Sequence, residues 1–227
     1  MNRSKRLWKE WKVVFYIVAF MLIFRSAIAN WYVVPTGSMK PTLVEGDYIL
    51  ADILAYQIKL PFSNKVIARW DTPRAGDVVV FESPQGNKRL VKRVIGLPGD
   101  TLSMRNNRVF INGQKTDYSL QGQSAVAMYW KGEARPPFLL EEQLGDTPHP
   151  IAIQFDDYTS YQNFGPLTVP DKHYFVLGDN RDNSADSRRF GMVHEDLIDG
   201  KAKMVLLSFN IKENYQLRRE RSFSSLQ

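Results

Sequence analysis

The sequence predicts a mostly β protein: a membrane-anchored β-sheet core with an inserted smaller cap region, preceded by one transmembrane helix. Three observations predict it. Short runs rich in Val, Ile, Phe and Tyr recur along the chain, bounded by Gly, Pro, Asn and Asp. No long amphipathic helical pattern follows residue 30. Ahead of residue 30, an unbroken apolar run follows a basic start. With 227 residues and 44% hydrophobic content, the chain can bury one sizeable core.

Residues 1–12 carry Arg3, Lys5, Arg6, Lys9 and Lys12 against Glu10 alone. Residues 13–24 are apolar throughout. That run is shorter than the ~20 residues needed to cross a ~30 Å hydrocarbon core. The expected anchor is therefore 13–29, with Trp8 and Trp11 at one interface and Lys9, Lys12 and Arg25 snorkelling outward. Two other readings compete. A buried core helix fits poorly beside so basic a flank. A cleaved secretory signal would end at Ala27-Ile28-Ala29. The retained anchor is favoured because Arg25 falls in the would-be cleavage region, and because a motif serine, Ser38, follows nine positions after Ala29. The positive-inside rule keeps residues 1–12 in the cytoplasm and exports the rest, a single-pass protein of the cytoplasmic membrane.

The strands follow in order. Tyr48–Ala51 comes after a Gly46-Asp47 turn, and Asp77–Phe81 after Pro73-Arg74-Ala75-Gly76. Leu90–Ile95 alternates around charge. Arg108–Ile111 runs into Asn112-Gly113, a strong hairpin signal. His173–Leu177 and Ala202–Leu207 read as late strands, with a short turn at Glu195–Ile198. Residues 30–113 and 167–210 form the expected core. Residues 114–166, rich in Gly, Pro and Gln, read as an inserted cap, part β and part irregular. Residues 211–227 read as a polar, basic, loosely ordered tail.

The net charge of +6 lies largely at the two ends, which favours membrane lipid over nucleic acid as a partner. No nucleic-acid-binding motif is present. Cysteine is absent, which excludes disulfides and a cysteine nucleophile.

Three stretches carry chemistry. The first is Val33-Val34-Pro35-Thr36-Gly37-Ser38-Met39-Lys40-Pro41-Thr42-Leu43, a serine in a stiff segment between prolines. A serine hydroxyl needs a base to become a nucleophile. His149, His173 and His194 lack a recognisable triad context or metal-ligand spacing, and read as ordinary surface or strand histidines. A neutral lysine is the alternative, and burial favours neutrality. The second stretch, Lys88–Asp100, offers one. On a strand, Leu90, Lys92 and Val94 share one face, and Val91, Arg93 and Ile95 the other. Arginine does not deprotonate in practice, so Lys92 is the possible base of the two. Taken alone, Lys92 reads equally as a solvated strand residue. The third stretch is Gly178-Asp179-Asn180-Arg181-Asp182-Asn183-Ser184-Ala185-Asp186-Ser187-Arg188. It fails as a calcium loop, with Ala185 where glycine is needed and Gly191 where glutamate is needed. It reads better as a buried polar turn in which Asp186 and Arg188 could pair.

All three stretches, in this order, resemble the bacterial type I signal peptidases, and the likeness runs from about Arg25 to Phe209. The resemblance implies the roles. Ser38 is the nucleophile and Lys92 the general base. Ser184 orients the lysine, and Asp186 and Arg188 form a supporting ion pair. Thr36 assists the Ser38 N–H in the oxyanion hole. Val34, Pro35, Met39, Leu43 and Val91 line pockets for small substrate side chains. Some family members have two membrane segments where this chain offers one, and Phe190 stands where the family often has tryptophan. The implied activity is removal of signal peptides from exported preproteins, after Ala-x-Ala-like sites, by a monomer with no cofactor or metal. Rival readings are another serine–lysine protease and a non-catalytic, membrane-tethered β domain that binds extended peptides.

Overall fold

The computed structural model describes residues 11–17, 29–60, 65–86, 88–122, 126, 129–130, 134–154, 162–211 and 213–226. Residues 11–17 are helical and exposed, and residues 18–28, most of the expected anchor, lie outside the described residues. No helix among the described residues is long and apolar enough to cross a membrane. Ala29, expected as the end of the anchor, is the first residue of a strand.

The first strands are β1 (Ala29–Val33), β2 (Asp47–Asp52), β3 (Gln57–Lys59), β4 (Val66–Arg69), β5 (Val78–Glu82) and β6 (Arg89–Gly96). Then come β7 (Thr101–Arg105), β8 (Arg108–Ile111), β9 (Gln114–Lys115), β10 (Asp117–Leu120), β11 (Phe138–Leu144) and β12 (Thr147–Ile153). The last are β13 (Phe164–Thr168), β14 (His173–Leu177), β15 (Val193–His194), β16 (Ile198–Asn210), β17 (Gln216–Leu217) and β18 (Ser224–Ser225). The main sheet runs β1-β2-β16-β5-β6-β14-β15, with β17 and β18 on β16. A second sheet is β13-β7-β8-β9, a third β10-β11-β12, and β3 and β4 form a hairpin of their own.

The centre of the main sheet explains itself. Strand β5 reads Val-Val-Val-Phe because it lies between β16 and β6 and is covered on both faces. Its side chains alternate between faces. Val78 and Val80 join Val34, Met39, Leu43, Ile49 and Val205 on one side. Val79 and Phe81 join Val94, Tyr174, Val176 and Ile198 on the other. Each such fully buried side chain contributes roughly 1.5–3 kcal/mol. A third cluster, with Leu102, Met104, Val109, Phe175 and Leu177, fastens the second sheet to the first. The Asn112-Gly113 turn between β8 and β9 has both residues at positive φ, 51° and 80°, as the hairpin signal anticipates.

The expected β and irregular cap takes a definite form, and the expected loose tail is corrected. Residues 114–166 hold the whole three-stranded sheet, and β9 at their start belongs to the β8 hairpin. Pro148 and Pro150 are tolerated because β12 is an edge strand of that sheet. The 211–227 tail is tied down rather than loose: β17 and β18 pair with β16, and Arg221 is buried against Asp47 at 2.7 Å. A buried arginine needs a carboxylate, and Asp47 supplies it.

Candidate active site

Ser38 sits in a loop that leaves the main sheet at β1 and re-enters it at β2. The loop is closed at its ends: Val34 N–H donates to Asp47 O at 2.8 Å and Gly46 N–H to Val34 O at 3.0 Å. Thr36 is extended, and Gly37–Met39 makes one 3-10 turn. Gly37 and Met39 are buried while Ser38 is half-buried, so the turn presents the serine. Thr36 is exposed, and its hydroxyl does not cap the turn.

Lys92 reaches this turn from β6, where it pairs with Val79 of β5. It is 3% exposed. Its Nζ lies 2.7 Å from Ser38 Oγ and donates to Val91 O at 2.9 Å. Burial pushes the lysine pKa down to about 8, although the Asp186 and Asp179 carboxylates pull it the other way. The structure thus brings together two side chains that are 54 positions apart in sequence.

The third stretch braces both. Asn180 Nδ2 donates to Gly37 O at 3.0 Å, and Asn180 N–H to Ser38 O at 3.1 Å. Asp179 accepts from Arg93 at 2.9 and 2.7 Å and also contacts Thr42 Oγ1. Burial alone would raise the Asp179 pKa, but the adjacent Arg93 guanidinium outweighs it and holds the group below the ordinary carboxylate value. Asp186 pairs with Arg188 at 2.8 and 2.7 Å, caps the short helix Ser187–Phe190, and accepts from Gly178 N–H at 3.1 Å. Its pKa is lowered in the same way, burial being outweighed by Arg188. Gly178 has no room for a side chain: a Cβ there would collide with the Ser38 carbonyl and with Ser184.

Ser184, expected to orient the lysine, makes no hydrogen bond to Lys92, and among the described residues its buried hydroxyl has no hydrogen-bond partner. It lies near enough to Asp186 to favour that carboxylate, without hydrogen-bond geometry. Of the five expected pocket residues, Val34, Met39 and Leu43 are 4%, 1% and 0% exposed and pack in the core cluster beneath the serine turn. Pro35 is exposed and Val91 half-buried, so these two present surface beside the dyad. An apolar residue in a motif serves core and pocket equally well, which is why the sequence could not separate them. Arg93, Asp179 and Asn180 stood in the quoted stretches but were given no role. Arg93 next to Lys92 was the available signal, since a second buried cation requires its own carboxylate. His149 is a buried strand histidine, 2% exposed and 3.1 Å from Glu142.

A family model described as "Signal peptidase, peptidase S26" matches residues 7–207. A signal peptidase I from Pseudomonas fluorescens is 37% identical over 221 residues, covering 92% of this chain and 75% of that one. One from Pseudomonas aeruginosa is 35% identical with the same coverage. A solved signal peptidase I from Enterococcus faecalis is 30% identical over 58% of this chain and 97% of that chain; its TM-score of 0.35 leaves the architecture to be argued from this chain alone. The family match spans the serine turn, the lysine strand and the loop that braces them, and the chain belongs to the peptidase S26 signal peptidases, enzymes that remove signal peptides from preproteins.

Proposed function

We propose that this signal peptidase works with Ser38 as nucleophile and Lys92 as general base, and cuts after a small residue at an Ala-x-Ala-like site. The observation that carries the reading is the 2.7 Å contact between Ser38 Oγ and the Nζ of a lysine that is almost wholly buried. In its neutral form Lys92 takes the Ser38 proton as Oγ bonds to the scissile carbonyl carbon. The carbonyl oxygen gains the charge, and the Ser38 N–H and the Thr36 hydroxyl donate to it. Collapse breaks the C–N bond, and the Lys92 proton goes to the leaving amine. Water, deprotonated by Lys92, then attacks the acyl carbon; the ester C–O bond to Ser38 breaks, Lys92 returns the proton to Ser38 Oγ, and the signal peptide leaves with a new carboxylate. Arg188 keeps Asp186 charged, and Arg93 does the same for Asp179, so the loop over the dyad stays fixed.

The basic start and apolar run at residues 1–29 support a single-pass anchor in the cytoplasmic membrane, with the catalytic domain outside. The anchor would confine the site to the lipid surface where signal peptides end.

The test compares wild type, Ser38→Ala and Lys92→Met in detergent, using a preprotein whose signal ends in Ala-x-Ala and mass spectrometry of the products. Cleavage after the second alanine is expected from wild type alone. Cutting by either variant at the wild-type rate would sink the dyad. A folded wild type that binds this substrate without cutting it would favour a peptide-binding domain.

A further inference from the structure

The C-terminal segment reaches back to the loop that carries Ser38. Beyond the pairing of β17 and β18, Arg218 N–H donates to Ser208 O and Leu226 N–H to Lys203 O, each at 2.8 Å. This framework sets Arg221 behind the loop, only 9% exposed. One guanidinium nitrogen of Arg221 donates to Asp47 Oδ2 at 2.7 Å and to Thr42 O at 2.9 Å. Another donates to the Tyr129 hydroxyl at 2.8 Å, and the guanidinium carbon lies 5.1 Å from the Tyr129 ring centre. Asp47 is fully buried and also accepts from Val44 N–H at 2.9 Å. Arg218 donates to Glu45 O at 3.1 Å.

The inserted region grips the same loop. Lys40 is 5% exposed, pairs with Glu45 at 3.1 Å and donates to Tyr129 O at 3.3 Å. Its ammonium lies 5.6 Å from the Trp130 ring. None of these groups touches the dyad or is used by the reaction. Yet the loop lies outside the sheet, and fixing its backbone costs conformational entropy at every residue. A planar guanidinium, with five N–H groups at fixed angles, can hold acceptors on three separate segments at once. Here those segments are the nucleophile loop, the start of β2 and the insertion.

We propose that Arg221 is a positioning residue for Ser38: the C-terminal segment and Tyr129 hold the nucleophile loop in register with Lys92, setting the rate of acylation rather than the affinity for substrate. The proposal rests on the Ser38–Lys92 reading above.

The test uses the full chain in detergent with the same preprotein. Arg221→Met would leave Asp47 buried and unpaired and endanger the fold. Arg221→Lys keeps a charge for Asp47 but cannot span all three acceptors. It is expected to lower kcat on the order of tenfold to a hundredfold, with KM held within about threefold. Tyr129→Phe, which removes a single contact, should lower kcat by about threefold to tenfold in the same pattern. An unchanged kcat in folded Arg221→Lys overturns the proposal, as does a loss carried by KM. Should Arg221→Lys fail to fold, Tyr129→Phe decides: an unchanged kcat there overturns it. Ser38→Ala run in parallel separates the two levels. If Ser38→Ala still cuts, the dyad reading itself falls. If it is dead while Arg221→Lys and Tyr129→Phe match wild type, only the positioning role falls.

Discussion

In the proposed mechanism Lys92 carries two demands. As a base it must be neutral, and as a strand residue it must be tolerated under a sheet. Burial serves the first by lowering its pKa from 10.5 to about 8. At pH 7 roughly a tenth of the enzyme then holds neutral lysine, against less than a thousandth for a solvated side chain. The rate should therefore rise with pH: log kcat/KM climbs with unit slope and levels off near pH 8. Asp186 favours the charged lysine, so Asp186→Asn should move that rise to lower pH while also reducing the plateau through loss of the Arg188 pairing. A pH profile of wild type and Asp186→Asn between about pH 6 and 11 checks both. A wild-type midpoint near 10.5 would mean that Lys92 is solvated in the working enzyme. Stability follows the same sign. The folded state holds fewer protons than the unfolded one between about 8 and 10.5, so this residue's contribution to folding improves as pH rises through that window.

Among the elements, the inserted sheet is the one whose purpose the sequence hid. Its strand β12 makes two backbone bonds to the catalytic loop: Ala152 N–H to Asp179 O at 2.8 Å and Arg181 N–H to Ala152 O at 2.9 Å. Its strand β11 supplies Glu142, wholly buried, to the equally buried Arg181. Burial opposes the Glu142 charge, but Arg181 and His149 outweigh it and drive its pKa well below the usual range. The Arg181 carbonyl in turn accepts from Arg188, the partner of Asp186. Glu142→Gln would strand a buried guanidinium, at a cost of about 3–5 kcal/mol, and should lower the melting midpoint by about 10 °C. Calorimetry that finds the midpoint within about 2 °C of wild type would refute the brace. This sheet escaped the sequence for a physical reason. Pro148 and Pro150 punctuate β12, and Glu141-Glu142-Gln143 puts polar residues on both faces of β11, so neither strand shows alternation. Strands β5 and β14 were legible because burial keeps their runs apolar, and β6 because its apolar residues alternate around charge. The candidate pair Ser38 and Lys92 was legible through the resemblance of three stretches in order, since alone each reads as an ordinary turn or strand residue. The partners Arg221 and Asp47 were not, since 174 positions separate them and each alone reads as surface.

At the scale of the whole molecule, the main sheet starts at β1 among the described residues. Ala29 pairs with Asp52 and Val33 with Tyr48, so the sheet's first strand is paired along its whole length with β2. The helical residues 11–17 are exposed, with Trp11 at 66% and Phe15 at 69%. Under the proposed anchor, the apolar start of the chain acts through location rather than through folding. Tethering an enzyme to the surface that holds its substrate raises the effective concentration of the site, an advantage that disappears in free solution. Removing residues 1–28 should leave the melting midpoint within about 2 °C of the full chain, and kcat/KM unchanged on a short soluble peptide containing the cleavage site. Processing of a preprotein inserted in lipid vesicles should fall sharply. Trp31 and Val33 remain 57% and 51% exposed on an edge strand, so both proteins are compared in detergent to prevent edge-to-edge association. If the shortened chain melts well below the full one, or loses the soluble peptide as a substrate, the N-terminal segment belongs to the folded domain and the division between anchor and enzyme is wrong.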